Sequence, residues 1–105
     1  MADRLQQLLG FHSNNPNDPF ILFALAKEYE RQNDNQKACH YYELNLSKNP
    51  DYVGSYYHAG HLYHTTGETE KAIQCLQKGI EVATDQGDQH TRSELSMLLM
   101  EIEDA

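Results

Sequence analysis

An internal repeat of 34 residues constrains the fold of this chain more than any other feature of its sequence. When the sequence is shifted against itself by that offset, small, aromatic and aliphatic residues coincide in pairs. The clearest pairs are Ala26 with Gly60, Tyr29 with Tyr63, Lys37 with Lys71, Ala38 with Ala72, and Pro16 with Pro50. A repeat of this length accommodates two helices and a turn, so the spacing predicts stacked helix pairs.

Helix-breaking residues lie where these helix pairs should begin, turn and end. Pro19 follows Asp18, Gly67 follows Thr66, Pro50 follows Asn49, and Gly87 follows Gln86. Together with the apolar periodicity, they predict helices over about 3–12, 19–32, 35–48, 53–65, 69–84 and 88–103. No segment shows the period of a strand, so the predicted fold class is all-α.

The two ends of the chain depart from the full repeat in different ways. Residues 3–12 align with the second helix of a preceding, truncated repeat, with leucines on one face. In the last helix, Glu94 stands where a small residue is expected, and Met97 stands where the repeats have tyrosine. That helix still has apolar residues at i, i+3, i+4 and i+7, which predicts a capping helix. They are Leu95, Leu98, Leu99 and Ile102.

The repeated residues resemble the tetratricopeptide repeat. The matching residues are Leu25, Ala26, Tyr29, Ala38, Tyr42 and Pro50 in the first unit, and Gly60, Tyr63, Gly67, Ala72 and Leu76 in the second. The resemblance implies a right-handed α-solenoid of antiparallel helix pairs, similar to short bacterial members with two repeats. We expect one domain over 1–105, with a half repeat at 3–18, repeats at 19–52 and 53–86, and a capping helix at 87–105.

Four positions differ from the pattern that the resemblance implies. Asn45 and Gly79 stand where the family usually has alanine, Asn33 replaces a turn glycine, and Thr84 replaces a closing proline. Without that proline, helix 69–84 should be longer than its counterpart in the first repeat.

Composition excludes several classes of partner. The chain has 8 basic and 16 acidic residues, a net charge of −8, and no local run of Lys or Arg. A nucleic-acid or anionic membrane partner would need a basic surface, so neither is expected. Cys39 and Cys75 form no CxxC pair, and the first residues lack the basic start and apolar run of a secretory signal. These features predict a cytoplasmic protein with reduced cysteines.

Catalytic and metal-binding motifs are absent from the sequence. There is no phosphate-binding loop, HExxH pair or GxSxG turn, so we expect neither an enzyme nor a cofactor. His58, His61 and His64 recur every three residues, but they spread too widely around a helix for one tetrahedral ion, so no metal site is expected. The acidic residues of the helices, Glu28 and Glu30 among them, are interpreted as solvated surface.

The resemblance implies that the first helix of each pair lines a concave, ligand-binding face. The side chains predicted to face it are Phe20, Phe23, Lys27 and Glu30 in the first repeat, and Tyr57, His61 and His64 in the second. Packing of Phe20 and Phe23 under the N-terminal helix is the alternative for those two. Members of the family that bind heat-shock chaperones use a cluster of Lys, Arg and Asn, and this chain lacks it at Phe23 and His58.

The sequence therefore predicts a non-enzymatic module that binds a peptide or helix of a partner protein. The alternative is a structural solenoid that associates with further copies of itself and has no separate ligand, so a homo-oligomer is possible.

Overall fold

A computed structural model describes residues 3–104 and contains six helices in that range, with no strand. They are α1 (Arg4–Asn14), α2 (Pro19–Arg31), α3 (Asn35–Lys48), α4 (Gly54–Thr65), α5 (Thr69–Gln86) and α6 (Gln89–Glu103). The all-α prediction is confirmed, and each helix boundary lies within about two residues of its expected position. No helix in this range has both the length and the apolar character needed to cross a membrane.

Aspartate side chains fix the first turns of four helices. Asp18 accepts hydrogen bonds from the backbone N–H groups of Phe20 and Ile21, with Pro19 in the first turn of α2. The same role is played at the starts of α1, α3 and α6 by Asp3, Asp34 and Asp88. These carboxylates satisfy backbone donors that a helix leaves unpaired at its N-terminus, which explains why the helices begin at these residues.

The turn inside each helix pair needs a residue with positive φ. Gly67 has φ 84° between α4 and α5, and Asn33 has φ 62° at the corresponding place between α2 and α3. Asparagine is one of the few residues other than glycine that adopts this conformation readily. The replacement of a turn glycine by Asn33 therefore keeps the geometry of the turn.

The helices form two compact units, the first ending at Tyr52 and the second beginning at Val53. In the first unit, α2 packs against both α1 and α3. Asn45 is fully buried there. Its amide donates to the carbonyl oxygen of Pro19 at 3.1 Å, and its own carbonyl oxygen accepts from Asn49 at 2.9 Å. Asparagine replaces the usual alanine because its side chain joins the end of α3 to the start of α2.

In the second unit, α5 packs against both α4 and α6. α5 has 18 residues and α3 has 14, which confirms that the helix without a closing proline is the longer one. The capping face of α6 is buried at Leu95, Leu98 and Ile102, while Leu99 is half-buried. The prediction that α6 covers the end of the second repeat is therefore supported by its packing within this unit.

A lysine at the start of the second helix of each pair lies over a tyrosine of the first helix. The Nζ atom of Lys37 is 5.4 Å from the ring centre of Tyr29, and that of Lys71 is 5.8 Å from the ring centre of Tyr63. Both distances suit a cation–π interaction. Lysine thus occurs at the same position of both repeats, Lys37 and Lys71, where it joins the two antiparallel helices of its pair near their turn.

Candidate functional site

One face of α2 is open to solvent and runs the length of the helix. Phe20, Ala24, Lys27 and Arg31 recur at intervals of three and four residues, which places them on the same side; we call this face the α2 stripe. Phe20 is 72% exposed, more than any other large apolar side chain among residues 3–104. The alternative that Phe20 packs under the N-terminal helix is therefore wrong.

Phe23 and Glu30, which the sequence placed beside Phe20 and Lys27, turn toward α3. The ring of Phe23 makes edge contacts with Tyr42 and Tyr52, at centroid distances of 6.2 and 5.7 Å. The hydroxyl of Tyr42 donates to the carboxylate of Glu30 at 2.8 Å. Burial and this hydrogen bond raise the pKa of Tyr42 above its usual value. Phe23 and Glu30 are half-buried, so they contribute to helix packing as well as to the edge of the stripe.

Glu28 turns to the other side of α2, toward α1, and only 4% of its side chain is exposed. Its carboxylate accepts from Nε of Arg31 at 3.1 Å, from Nη2 of the same guanidinium, and from the amide of Gln32 at 3.3 Å. Arg4 of α1 approaches the same carboxylate to 3.9 Å. The interpretation of Glu28 as solvated surface is wrong, because its charge is balanced by arginines from two helices.

A cavity of 530 Å³ lies at the meeting of these groups. It is lined by Arg4, Ala24, Lys27, Glu28, Glu30 and Arg31. Three of the eight basic residues of the chain therefore border one cavity. The sequence pattern does not reveal this cluster, because Arg4 is far from Lys27 and Arg31 along the chain. Only the packing of α1 on α2 brings them together.

In the second unit, α4 carries the other predicted side chains. Tyr57 is half-buried, with its ring edge-on to that of His58 at 5.5 Å, while His61 is exposed. His64 is half-buried, and its Nδ1 atom is enclosed without a hydrogen-bond partner. These side chains give α4 an aromatic and polar surface, and the helix contains no Lys, Arg, Asp or Glu. No group of three potential metal ligands occurs within residues 3–104.

The buried carboxylate of Glu28 predicts acid-sensitive stability. The hydrogen bond from Arg31 lowers the pKa of Glu28, and hydrogen bonds from Thr91 lower that of Asp88. A folded-state pKa below the unfolded value, about 4.3 for Glu, adds stability above that pH, which is lost as pH falls through the folded pKa. The melting temperature should therefore fall on acidification below about pH 4.5.

Thermal melts of matched variants across this pH range test the contribution of Glu28. Glu28→Gln should lower the melting temperature at pH 7 and flatten its decline in acid. Glu101→Gln alters an exposed carboxylate on α6 and is the control, with little change expected at either pH. Equal pH profiles for Glu28→Gln and the unmodified chain would contradict this role.

Comparison with known proteins gives a consistent set of matches. Residues 53–86 match the family model described as tetratricopeptide repeat. A tetratricopeptide repeat domain protein from Salinibacter ruber, solved by NMR, is 39% identical, over 85% of this chain and 90% of that one, with a TM-score of 0.81. No curated protein gives a significant match.

Two more distant structures are similar in fold alone. A protein from Bordetella parapertussis is 21% identical, with 99% of this chain and 90% of that chain covered and a TM-score of 0.83. The type III secretion translocator chaperone SycD from Yersinia enterocolitica is 15% identical, with 94% and 69% covered and a TM-score of 0.85.

Proposed function

The chain belongs to the tetratricopeptide repeat family, and from that premise we propose that it is a non-enzymatic module that binds a peptide segment of a partner protein. Its fold is the all-α helical repeat of that family, which generally serves protein–protein interaction. Such repeats are scaffolds, so binding depends on the side chains of particular surfaces.

The observation that carries the proposal is the exposure of Phe20. A phenylalanine that is 72% exposed on an ordered helix keeps a large apolar area in water. Burial of that area by a partner is favourable by about 25 cal/mol per Å². Lys27 and Arg31 lie on the same face as Phe20, about two and three turns further along the helix, so the α2 stripe combines an apolar anchor with polar groups that can fix a ligand's orientation.

The predicted side chains of α4 offer a second surface for the same role. Tyr57, His61 and His64 combine apolar ring faces with polar atoms, which suits interfaces that remain partly hydrated. We propose the α2 stripe as the principal contact, together with Phe23 and Glu30 at its edge, and the α4 side chains as an additional one.

Substitution of Phe20 tests the principal contact. With a partner captured from the native organism and then purified, Phe20→Ala should weaken binding about tenfold, which corresponds to about 1.4 kcal/mol. The melting temperature should hardly change, because Phe20 is exposed. Met97→Ala on α6 is the matched control, since it removes another exposed apolar side chain, 63% exposed, from a different helix. Isothermal titration calorimetry measures both affinities.

Mapping of the contact by amide chemical shifts complements the calorimetry. Shifts on α2 and α4 support the proposal. Shifts confined to α3 and α5, with unchanged affinity of the Phe20→Ala variant, would mean that the partner binds those two helices. The assignment of the contact to α2 and α4 would then be wrong.

Self-association is the second candidate function, and a feature of α6 favours it. Met97 and Met100 are 63% and 61% exposed, and they lie on the side of α6 opposite Leu95 and Ile102. Two exposed methionines on one stripe are an adaptable apolar surface. Sedimentation equilibrium from micromolar to millimolar concentration separates the two candidates. A stable dimer favours self-association, and a monomer throughout favours the binding module.

A further inference from the structure

We infer that the exposed face of α6 binds α1 of a second copy of this chain, so that copies associate head to tail. The inference rests on self-association, the second candidate function, and it specifies the two helices that meet. Neither of them carries the α2 stripe. A contact between two different faces leaves one free α1 and one free α6 in every complex, which allows further copies to add.

The two helices correspond to complementary halves of one repeat. At the 34-residue offset, α1 aligns with α3, the second helix of a pair, and α6 aligns with α4, the first helix of a pair. Within residues 3–104 no helix precedes α1 or follows α6, so neither has the partner within its pair that α3 and α4 have. α6 of one copy and α1 of another together supply both helices of a pair.

A close contact inside the second pair predicts which residues should meet at one end of this interface. A Cβ atom on Gly79 of α5 would lie 2.5 Å from Cβ of Tyr56 on α4, so these two positions face each other. The position two repeats before Gly79 is Phe11 of α1, and the position one repeat after Tyr56 is His90 of α6. We therefore expect Phe11 of one copy to pack beside His90 of the other.

A contact inside the first pair predicts the next point along the interface. The rings of Tyr29 on α2 and Tyr41 on α3 are stacked, with their centroids 5.6 Å apart. The position two repeats after Tyr29 is Met97, and the position one repeat before Tyr41 is Gln7. Both predicted contacts fit the same antiparallel arrangement, in which the end of α1 lies beside the start of α6.

The exposure of apolar side chains is concentrated on these two helices. Among residues 3–104, four large apolar side chains are exposed, and three of them lie on α1 and α6. They are Phe11, Met97 and Met100, which are 57%, 63% and 61% exposed. The residues that correspond to Met97 in the two intact repeats, Tyr29 and Tyr63, are each only 7% exposed because a second helix covers them. Burial of the three exposed side chains by a second copy favours association.

The charges at the other end of the interface are complementary. Antiparallel packing brings the first turn of α1, which contains Arg4, beside the last turns of α6, which contain Glu101. Arg4 is 66% exposed and lies 3.9 Å from Glu28, so it can approach a second carboxylate from the solvent side. The carboxylate of Asp3 accepts from the backbone N–H of Gln6 and caps its own helix. The positive end of the α1 dipole also meets the negative end of the α6 dipole.

Two variants that each block one face test the inference on the full chain. Phe11→Glu places a charge on the α1 face, and Met97→Glu places one on the α6 face. In sedimentation equilibrium the average mass of the unmodified chain should rise past that of a dimer between about 10 μM and 1 mM, a range typical of small interfaces. Each variant alone should stay a monomer. An equal mixture should form a heterodimer and nothing larger, because only one α6 face and one α1 face remain free.

Phe20→Glu is the matched control, because it makes the same change at the exposed phenylalanine of α2. It should associate as the unmodified chain does, while losing affinity for a partner that binds the α2 stripe. Circular dichroism should show unchanged melting of all three variants, since each replaced side chain is exposed.

The outcomes separate this inference from the functions proposed above. A monomeric unmodified chain up to about 1 mM would overturn self-association together with this inference, and it would leave peptide binding in place. A Phe11→Glu variant that dimerises alone, with a monomeric Met97→Glu variant, would mean that α6 binds α6, so that self-association holds and the head-to-tail contact is wrong. A mixture that stays monomeric, or a monomeric Phe20→Glu variant, would also overturn the contact between α1 and α6.

Discussion

Removal of α6 is expected to abolish cooperative unfolding of the second unit. In the intact chain Leu95, Leu98 and Ile102 are 0%, 6% and 4% exposed. Each such side chain contributes about 1.5–3 kcal/mol when fully buried, against a total stability of about 5–15 kcal/mol for a domain. A chain ending at Gly87 would also expose the apolar surfaces of α4 and α5 that α6 covers. It should aggregate or melt over a broad range, measured by circular dichroism and light scattering.

A point substitution in the full-length chain separates packing from the general effect of truncation. Leu95→Ala should lower the free energy of unfolding by about 2–5 kcal/mol, because it leaves a cavity at a fully buried position. Met97→Ala on the exposed side of the same helix is the control, with a change of less than about 0.5 kcal/mol. A truncated chain that melts as sharply and at the same temperature as the intact one would disprove the capping role of α6.

The positions of the helices could be predicted because the capping residues at the helix starts agree with the 34-residue repeat. The 34-residue offset pairs small residues with small residues, and Asp18 and Asp88 stand where the apolar periodicity begins. These aspartates cap α2 and α6 in the structure. Since a capping carboxylate acts on backbone groups within three residues, its position in the sequence is sufficient to locate a helix start.

The candidate site was only partly predictable, because it depends on which side of α2 each neighbouring helix occupies. Phe20 and Phe23 are separated by about 60° around the helix. The apolar periodicity alone does not show which of two residues this close together is exposed and which is packed. The structure leaves Phe20 exposed and turns Phe23 toward Tyr42 and Tyr52. The pairing of Glu28 with Arg4 requires the packing of α1 on α2, which the sequence indicates only in outline.

Departures from the family pattern marked two residues whose roles only the structure explains. Asn45 uses both atoms of its amide to join α3 to the backbone of α2 and to Asn49. Gly79 of α5 allows close approach of α4 and α6, because its hydrogen atom fits where a methyl group would collide with Tyr56 and Leu95. In both cases the sequence identified the position, and the three-dimensional neighbours supplied the reason.

Gly79→Ala should therefore destabilise the protein, although alanine is the better helix former. A Cβ atom at Gly79 would lie 2.5 Å from Cβ and 2.9 Å from Cγ of Tyr56, and 3.1 Å from Cδ1 of Leu95. Tyr56 and Leu95 are buried, so neither can move without disturbing the contacts of α4 or α6 with α5. Overpacking of this kind costs about 1–3 kcal/mol, and chemical denaturation measures it.

Gly10→Ala is the matched control, because it makes the same chemical change in α1 with an opposite expected sign. A Cβ atom there meets nothing within 4 Å, so only the helix propensity of alanine should act. Exposed helix glycines are destabilising by about 0.5–1 kcal/mol relative to alanine, and Gly10→Ala should stabilise the protein by that amount. If Gly79→Ala were stabilising as well, the close approach of α5 to Tyr56 and Leu95 would be wrong. The same substitution would then change the free energy of unfolding in opposite directions at Gly79 and at Gly10. This result would show that close packing in the second unit, and not backbone preference, requires glycine at position 79.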